Sequence, residues 1–512
     1  MMQGMYPNGF LNPDDRKCSV QSLLFGHRIK PQQTRYEYLV EFLQVAMARK
    51  RITNSGDDSI KTDMFPVSDA LADHQLEYKP ISNMGLKRFI FFENSRLDTK
   101  SQIDKKAYNK CLEIMKECIE IENTQISEKD SIFILQNILY GFSIENAGRS
   151  WFNKNLLPIC PEVLFPESLA RKKYREKVDI DSEEVDSSFD FNSYTYMARG
   201  GEVYYLHILH AINSAEQEAK ERLEHQIKRM LSSIPQLSEI SKFIQTEWET
   251  GMNYDASDIR DYDVKKRIGA IPLEYSYRDS HSLSEIMCFL DNRIQPMEKL
   301  NLLSYGIVLQ LFRMHITTAA KGSSTQGSAW VIDVCEPIKK EHAEIRKLAS
   351  NCYNKNEESV TKYIDIGIDY YYCDSTPEEK DKMRKDADKD SNKIIRKLGK
   401  NMGMIIPITG TGMRFTLSEE IIKFLVMALV PPSSKVTYDH FLDMLYDHFE
   451  IVISPEHYAK AAEEGKVGPQ TNVTFLQENK NDFAQKLKNC GFLRDLSDAT
   501  AIVENPYEKE ED

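Results

Sequence analysis

The sequence has no C-x-x-C pair, no H-E-x-x-H, no G-x-S-x-G, and no apolar run approaching the roughly 18 residues of a membrane span. Each absence removes a class. Zinc knuckles, zincin-type proteases and serine-elbow hydrolases lose their ligand or nucleophile set. The opening MMQGMYPNGFLNPDDRK lacks the basic start and apolar core of an export signal, so the expected compartment is the cytoplasm. Nine cysteines, an odd and scattered set, are expected to be free thiols in a reducing compartment. The absence of internal repeats and of long low-complexity tracts argues against solenoids and propellers.

What remains is an ordinary globular composition, 41% hydrophobic and 28% charged, in 512 residues, enough for two to four packing units. A formal net charge of −13 argues against whole-surface attraction to nucleic acid, because neutralising phosphate needs clustered Lys and Arg. Three basic clusters exist: Arg49-Lys50-Arg51, Arg171-Lys172-Lys173 with Arg175, and Lys265-Lys266-Arg267. In a chain with 66 Lys and Arg they are expected as solvated surface, and Lys265, Lys266 and Arg267 are kept as a candidate phosphate contact.

The periodicities predict a mainly α, multi-domain protein. In QQTRYEYLVEFLQVAMARK (32–50), Tyr36, Leu39, Val40, Leu43 and Met47 recur at helical spacing behind Thr34, a candidate cap. DKKAYNKCLEIMKECIEIE and SEKDSIFILQNILYGFSI repeat the pattern, each entered from an Asp or Ser; LKRFIFFENS fits a strand or a buried helix equally. Residues 210–234 read as one long amphipathic helix, 299–321 as a central helix apolar on most sides, 330–334 as a short strand, and 374–393 as a solvent-facing helix or linker. The expected divisions are an N-terminal helical domain over 1–177, an acidic linker over 178–190, a central helical domain over 191–408, and a last unit over 414–512. The glycines of ITGTGM (408–413) mark its start.

That last unit has the pattern of a winged helix: a helix capped by Ser418 and stopped at Pro431-Pro432, a second over 437–449, a strand at 451–453, a third helix over 475–490, then a hairpin. Residues 455–473 would be an insertion before the third helix. A DNA-reading winged helix sets the exposed face of that helix in the major groove, with flanking cations on phosphate. Here the exposed face holds Glu478, Asn481, Asp482, Gln485, Lys488 and Asn489, and the wing tip runs from Arg494 to Asp498. Asn481 and Gln485 could read base edges, with Lys488 and Arg494 beside them. From Phe415 onward, however, 9 Lys and Arg face 18 Asp and Glu, a balance of 9 − 18 = −9. Protein docking is therefore the leading reading of this unit and direct DNA contact the second.

No catalytic residue, metal set or cofactor site is expected. GSSTQGSA (322–329) has phosphate-loop glycine spacing, but Ser328 stands where lysine is required and the stretch follows a helix. His207 and His210 lie on adjacent helical turns without a third ligand nearby, which favours helix packing. Asp69, Glu77 and Lys79 match the residue types of a Mg²⁺-dependent nuclease site and keep a divergent nuclease open as a minor alternative. Arg199, before the pair Gly200-Gly201, could present its planar fork to phosphate or carboxylate.

FGHRIKPQQTRYEYLVEFL, LKRFIFFENSRLDT, ARGGEVYYLH and ALVPPSSKVTYDHFLDMLYDHFEIVISPE together resemble a class of bacterial proteins encoded in anti-phage defence islands. These occur beside ATPases, nucleases or DNA-modification enzymes in restriction clusters linked to phosphorothioation or methylation. The resemblance implies a non-catalytic subunit of a multi-protein, restriction-like assembly. It supplies no catalytic residue to carry over. The leading expectation is an interaction subunit whose last unit docks a partner protein, with DNA a second partner and any nucleic-acid contact coming from the basic clusters or Arg199. A winged-helix DNA-binding regulator is the competing reading.

Overall fold

Helical spacing of apolar residues becomes helix along most of the chain. The computed structural model describes residues 19–30, 32–52, 61–66, 76–95, 102–119, 126–144, 149–170, 194–196, 200–252, 270–334, 342–497 and 500–510, and it is mainly helical with little strand. Two compact units form, one from residues 1–38, 206–226 and 269–512, the other from 39–205 and 227–268. Among the described residues no helix is long and apolar enough to cross a membrane. The acidic stretch 178–190, Arg199, the cluster 265–267, residues 171–175 and Asp69 lie outside the described residues.

In the smaller unit the undecided stretch is a helix, Met84–Phe91, with all eight residues buried. It packs against Pro235–Gly251 so closely that a Cβ on Gly85 would fall 2.2 Å from the Trp248 ring. Ser127 caps Glu128–Tyr140 by accepting from the Asp130 amide at 3.2 Å. Asp104, expected at a cap, instead lies inside the helix Gln102–Cys118 and meets the buried Arg88 at 3.2 Å. The cluster Arg49-Lys50-Arg51 forms part of the strand Arg49–Ile52, paired with Leu76–Lys79. It departs from the expectation of a solvated patch: Lys50 is buried, and its ammonium donates to the carbonyls of Ala46, Ala48 and Asp63 at 2.8, 2.8 and 3.2 Å. Three carbonyls replace the water it loses.

The larger unit is organised by the helix Pro296–Gly322, in which 22 of 27 residues are buried, as an all-round apolar helix must be. Glu419–Leu429 packs against it where Gly306 leaves room for the Phe424 ring, and Ala343–Tyr371 where Gly322 admits Tyr363. The single helix expected over 210–234 is broken: Gly200–Asn213 ends, and Gln217–Leu231 begins after Ser214, whose hydroxyl turns back to the His210 carbonyl at 3.4 Å. Residues 374–393 contain the helix Pro377–Lys389, entered through a capping box of Thr376 and Glu379.

Residues 414–510 belong to the larger unit and share its core. Trp330–Val331 pairs in parallel with Ile451–Val452, and Phe415 packs on Trp330 and Tyr353 at ring distances of 5.4 and 5.1 Å. The glycines of 408–413 form the tip of a hairpin that returns Arg414–Phe415 onto Ile405–Ile406; Gly410 and Gly412 take φ of 97° and 76°, which a side chain would oppose. The helices Glu419–Leu429, Tyr438–Phe449 and Leu476–Asn489 form as expected, the first two capped by Ser418 and Thr437. The stretch before the third contains a further helix, Pro455–Glu463. Leu493–Ser497 and Thr500–Glu504 form an antiparallel hairpin, and the second strand also pairs with Lys435–Thr437, so the last strand lies in the middle of the three.

One buried amide ties these pieces together. Asn479, on the inner face of Leu476–Asn489, donates to the carbonyls of Ile332 and Ile453 at 2.8 and 3.0 Å and accepts from the Val334 amide at 3.1 Å. It thus satisfies backbone groups at the ends of both strands of the short parallel pair.

Candidate functional site

The residues expected to face a partner or DNA lie on Leu476–Asn489 and the hairpin. Leu476, Asn479, Phe483 and Leu487 are buried, which leaves Asn481 and Gln485 exposed as their spacing predicts. Neither amide waits free for a base edge: Asn481 accepts from Gln477 at 3.4 Å, and Gln485 donates to Asn489 at 2.9 Å. Lys488 lies 2.6 Å from Asp495, and Arg494 3.2 Å from Glu504. Asp498 lies outside the described residues.

The same holds across residues 415–510. Lys423 meets Glu298, Lys435 meets Glu504 at 3.5 Å, and Lys460 meets Asp447 at 2.8 Å. Lys466 bridges Glu450 and Glu464 at 3.1 and 2.7 Å, Lys480 meets Asp439 at 2.7 Å, and Lys486 donates to the Leu417 carbonyl. Of the nine Lys and Arg in this stretch, eight therefore face a carboxylate or a carbonyl; Lys509 is the ninth. Exposed pairs of this kind are weak, yet each carboxylate cancels the field its cation would offer to phosphate.

A second cluster, which sequence reasoning did not find, is polar and lies inside the larger unit. His207 is fully buried, with Nε2 2.8 Å from the Ser282 hydroxyl and Nδ1 2.8 Å from Asp279 Oδ1. Asp279 and Ser282 occupy one face of Asp279–Leu290 at spacing three. Those are the distances of a serine–histidine–acid relay. The arrangement is not set up to react: Ser282 is as buried as His207, and the His207–Asp279 contact has ion-pair distance without hydrogen-bond alignment. His210, one turn on, has its basicity lowered chiefly by burial, against the pull of Asp279.

The cluster continues through Tyr275, whose ring lies 5.1 Å from His207 and whose hydroxyl donates to Gln310 at 3.0 Å; Gln310 donates to Glu285, which meets His448 at 2.7 Å. Burial is the main reason the Tyr275 hydroxyl is held well above the ordinary phenol range. Beside it Arg313 is fully buried, pairs with Glu450, donates to the Ser328 carbonyl at 2.5 Å and stacks 4.6 Å from the Trp330 ring. Burial and the neighbouring Arg278 lower Arg313 to about 10. Glu450 takes a left-handed φ of 52°, a position that favours glycine, so this backbone conformation is held by a side chain the interior requires. Ser328, where a phosphate loop would need lysine, lends its carbonyl to this pair instead.

The other chemical expectations separate. Glu77 lies 2.6 Å from Arg51 on the neighbouring strand, a guanidinium that neutralises it as a Mg²⁺ ligand; Lys79 is on the same strand and Asp69 is outside the described residues. Among the described residues no group of three His, Cys, Asp or Glu side chains is placed to hold a metal. The signal that would have found the polar cluster is absent locally: His207 meets partners more than seventy positions away, and only packing brings them together. No protein-family model, curated protein or solved structure matches the chain.

Proposed function

We propose that this chain is a non-catalytic interaction subunit of a bacterial anti-phage, restriction-like assembly, and that its last hundred residues are a winged-helix unit that docks a basic surface of a partner protein. The winged-helix reading is supported by the order helix, strand, helix, strand, two helices and hairpin, in which Pro455–Glu463 is extra to the pattern, and by a three-stranded sheet with the final strand in the middle. The defence setting rests on the sequence resemblance alone. An ATPase, nuclease or modification enzyme of that setting is the proposed partner, and DNA is reached through it.

One observation carries the choice of protein over DNA: on the exposed face of Leu476–Asn489 and the hairpin, Lys488 and Arg494 are matched to Asp495 and Glu504, and the surrounding balance is −9. A phosphate backbone would meet carboxylates where it needs unpaired cations.

The test uses the full chain, because residues 414–510 share their core with the rest of the larger unit. Affinity purification from the native host is expected to recover an ATPase, nuclease or modification enzyme in a salt-sensitive complex, lost in Glu478→Lys/Asp495→Lys. Tight binding of duplex DNA by the wild-type chain, with a steep salt dependence and no partner protein, would overturn the reading.

A further inference from the structure

Arg278 immediately precedes Asp279–Leu290 and is 1% exposed. Its Nη1 donates to the Asp447 carbonyl at 3.4 Å, and its Nε and Nη2 have no partner among the described residues. Those two nitrogens share one edge of the guanidinium, where the N–H bonds run parallel and match two oxygens of one oxyanion. A guanidinium keeps its charge throughout the physiological range, and a buried one without a counter-charge is strongly unfavourable.

The protein's own carboxylates nearby are committed. Glu450 serves both Arg313 and Lys466, Glu285 serves His448, Asp279 lies against His207, and the Asp447 carboxylate lies 2.8 Å from Lys460. Arg313 is close enough to Arg278 for the two charges to repel. Among the described residues no carboxylate lies within ion-pair distance of Arg278, and its free edge is a two-pronged donor.

We propose that Arg278 holds a carboxylate side-on, in a site bordered by Tyr277 and His281. A carboxylate matches that edge with two oxygens and a single charge, whereas a phosphate dianion would set a second negative charge near Glu450 and Glu285. Tyr277 is the side chain that moves to admit the ligand: it is about half exposed, and its hydroxyl reaches Glu450 at only 3.3 Å. His281 is half-buried, lies 4.4 Å ring to ring from His448, and makes no hydrogen bond through its imidazole with the described residues, so its N–H can serve the anion. Burial, then His448 and Arg278, lower its basicity, and it donates there as a neutral ring. The carboxylate comes either from a small organic acid or from an acidic peptide side chain. The site is separate from the docking face proposed above.

The experiment measures thermal midpoint and calorimetric binding of the full chain with sodium glutarate, an acetylated tetraglutamate peptide, inorganic phosphate, and chloride at matched ionic strength. A carboxylate probe is expected to raise the midpoint saturably, with affinity at least tenfold weaker in Arg278→Lys, which keeps the charge and loses the fork, and no binding in Arg278→Met. Without probe, Arg278→Met should be at least as stable as wild type, since it removes a buried guanidinium that has no ion-pair partner among the described residues. Stronger binding of the peptide assigns the carboxylate to a protein, and stronger binding of glutarate assigns it to a metabolite. A midpoint that merely follows chloride, unchanged affinity in Arg278→Lys, preference for phosphate, or an Arg278→Met chain less stable than wild type would each overturn the proposal.

Discussion

Arg313 and Lys488 are both cations set against a carboxylate, but the Arg313–Glu450 pair is sealed from water and the Lys488–Asp495 pair is open to it. Inside, removing one partner strands a charge with nowhere to go; outside, water replaces the lost partner at once. The same contact chemistry therefore supports folding in one region and sets the electrostatic character of a surface in the other.

The comparison breaks first at Glu450. Glu450→Gln keeps shape and removes the counter-charge of Arg313, and denaturant titration should show a loss of about 3–5 kcal/mol. Acid probes the interior differently. Burial lowers His27 from 6.5 to about 4 and His315, stacked 3.6 Å from Phe25, well below 6.5. Between about pH 6.5 and 4 the unfolded chain binds protons that the folded chain refuses, so stability falls as pH falls. For His27 alone the loss is about 3 kcal/mol, read as a falling denaturation midpoint across that window.

Packing without charge sharpens the contrast. A Cβ at Gly306 would lie 2.2 Å from the Phe424 ring, so Gly306→Val should cost about 1–3 kcal/mol at any ionic strength. Lys488→Ala marks the other end of the scale, with a change of about 0.2–1 kcal/mol that salt removes. A larger, salt-independent loss there would show that the outer pair is structural rather than electrostatic.

Local signals were legible in the sequence where local physics dominates. Tyr36, Leu39, Val40, Leu43 and Met47 mark the helix Arg35–Met47, and Ser418 marks a true cap. Short aromatic stretches such as LKRFIFFENS carry no period that separates helix from strand, and there packing decided. Lys50 in a basic triplet looks solvated until three carbonyls converge on it. The exposed face of Leu476–Asn489 was readable from its 100° step, whereas His207 with Asp279 and Ser282, or Arg278 with its empty edge, depend on contacts between distant segments that no window of sequence contains.

Asn479 gives the third helix a second allegiance. Its outer face is exposed to solvent, while this one side chain fastens its inner face to the carbonyls of Ile332 and Ile453. A pull on that helix would load the short parallel pair of 330–334 and 451–453 first, because the same amide closes its ends.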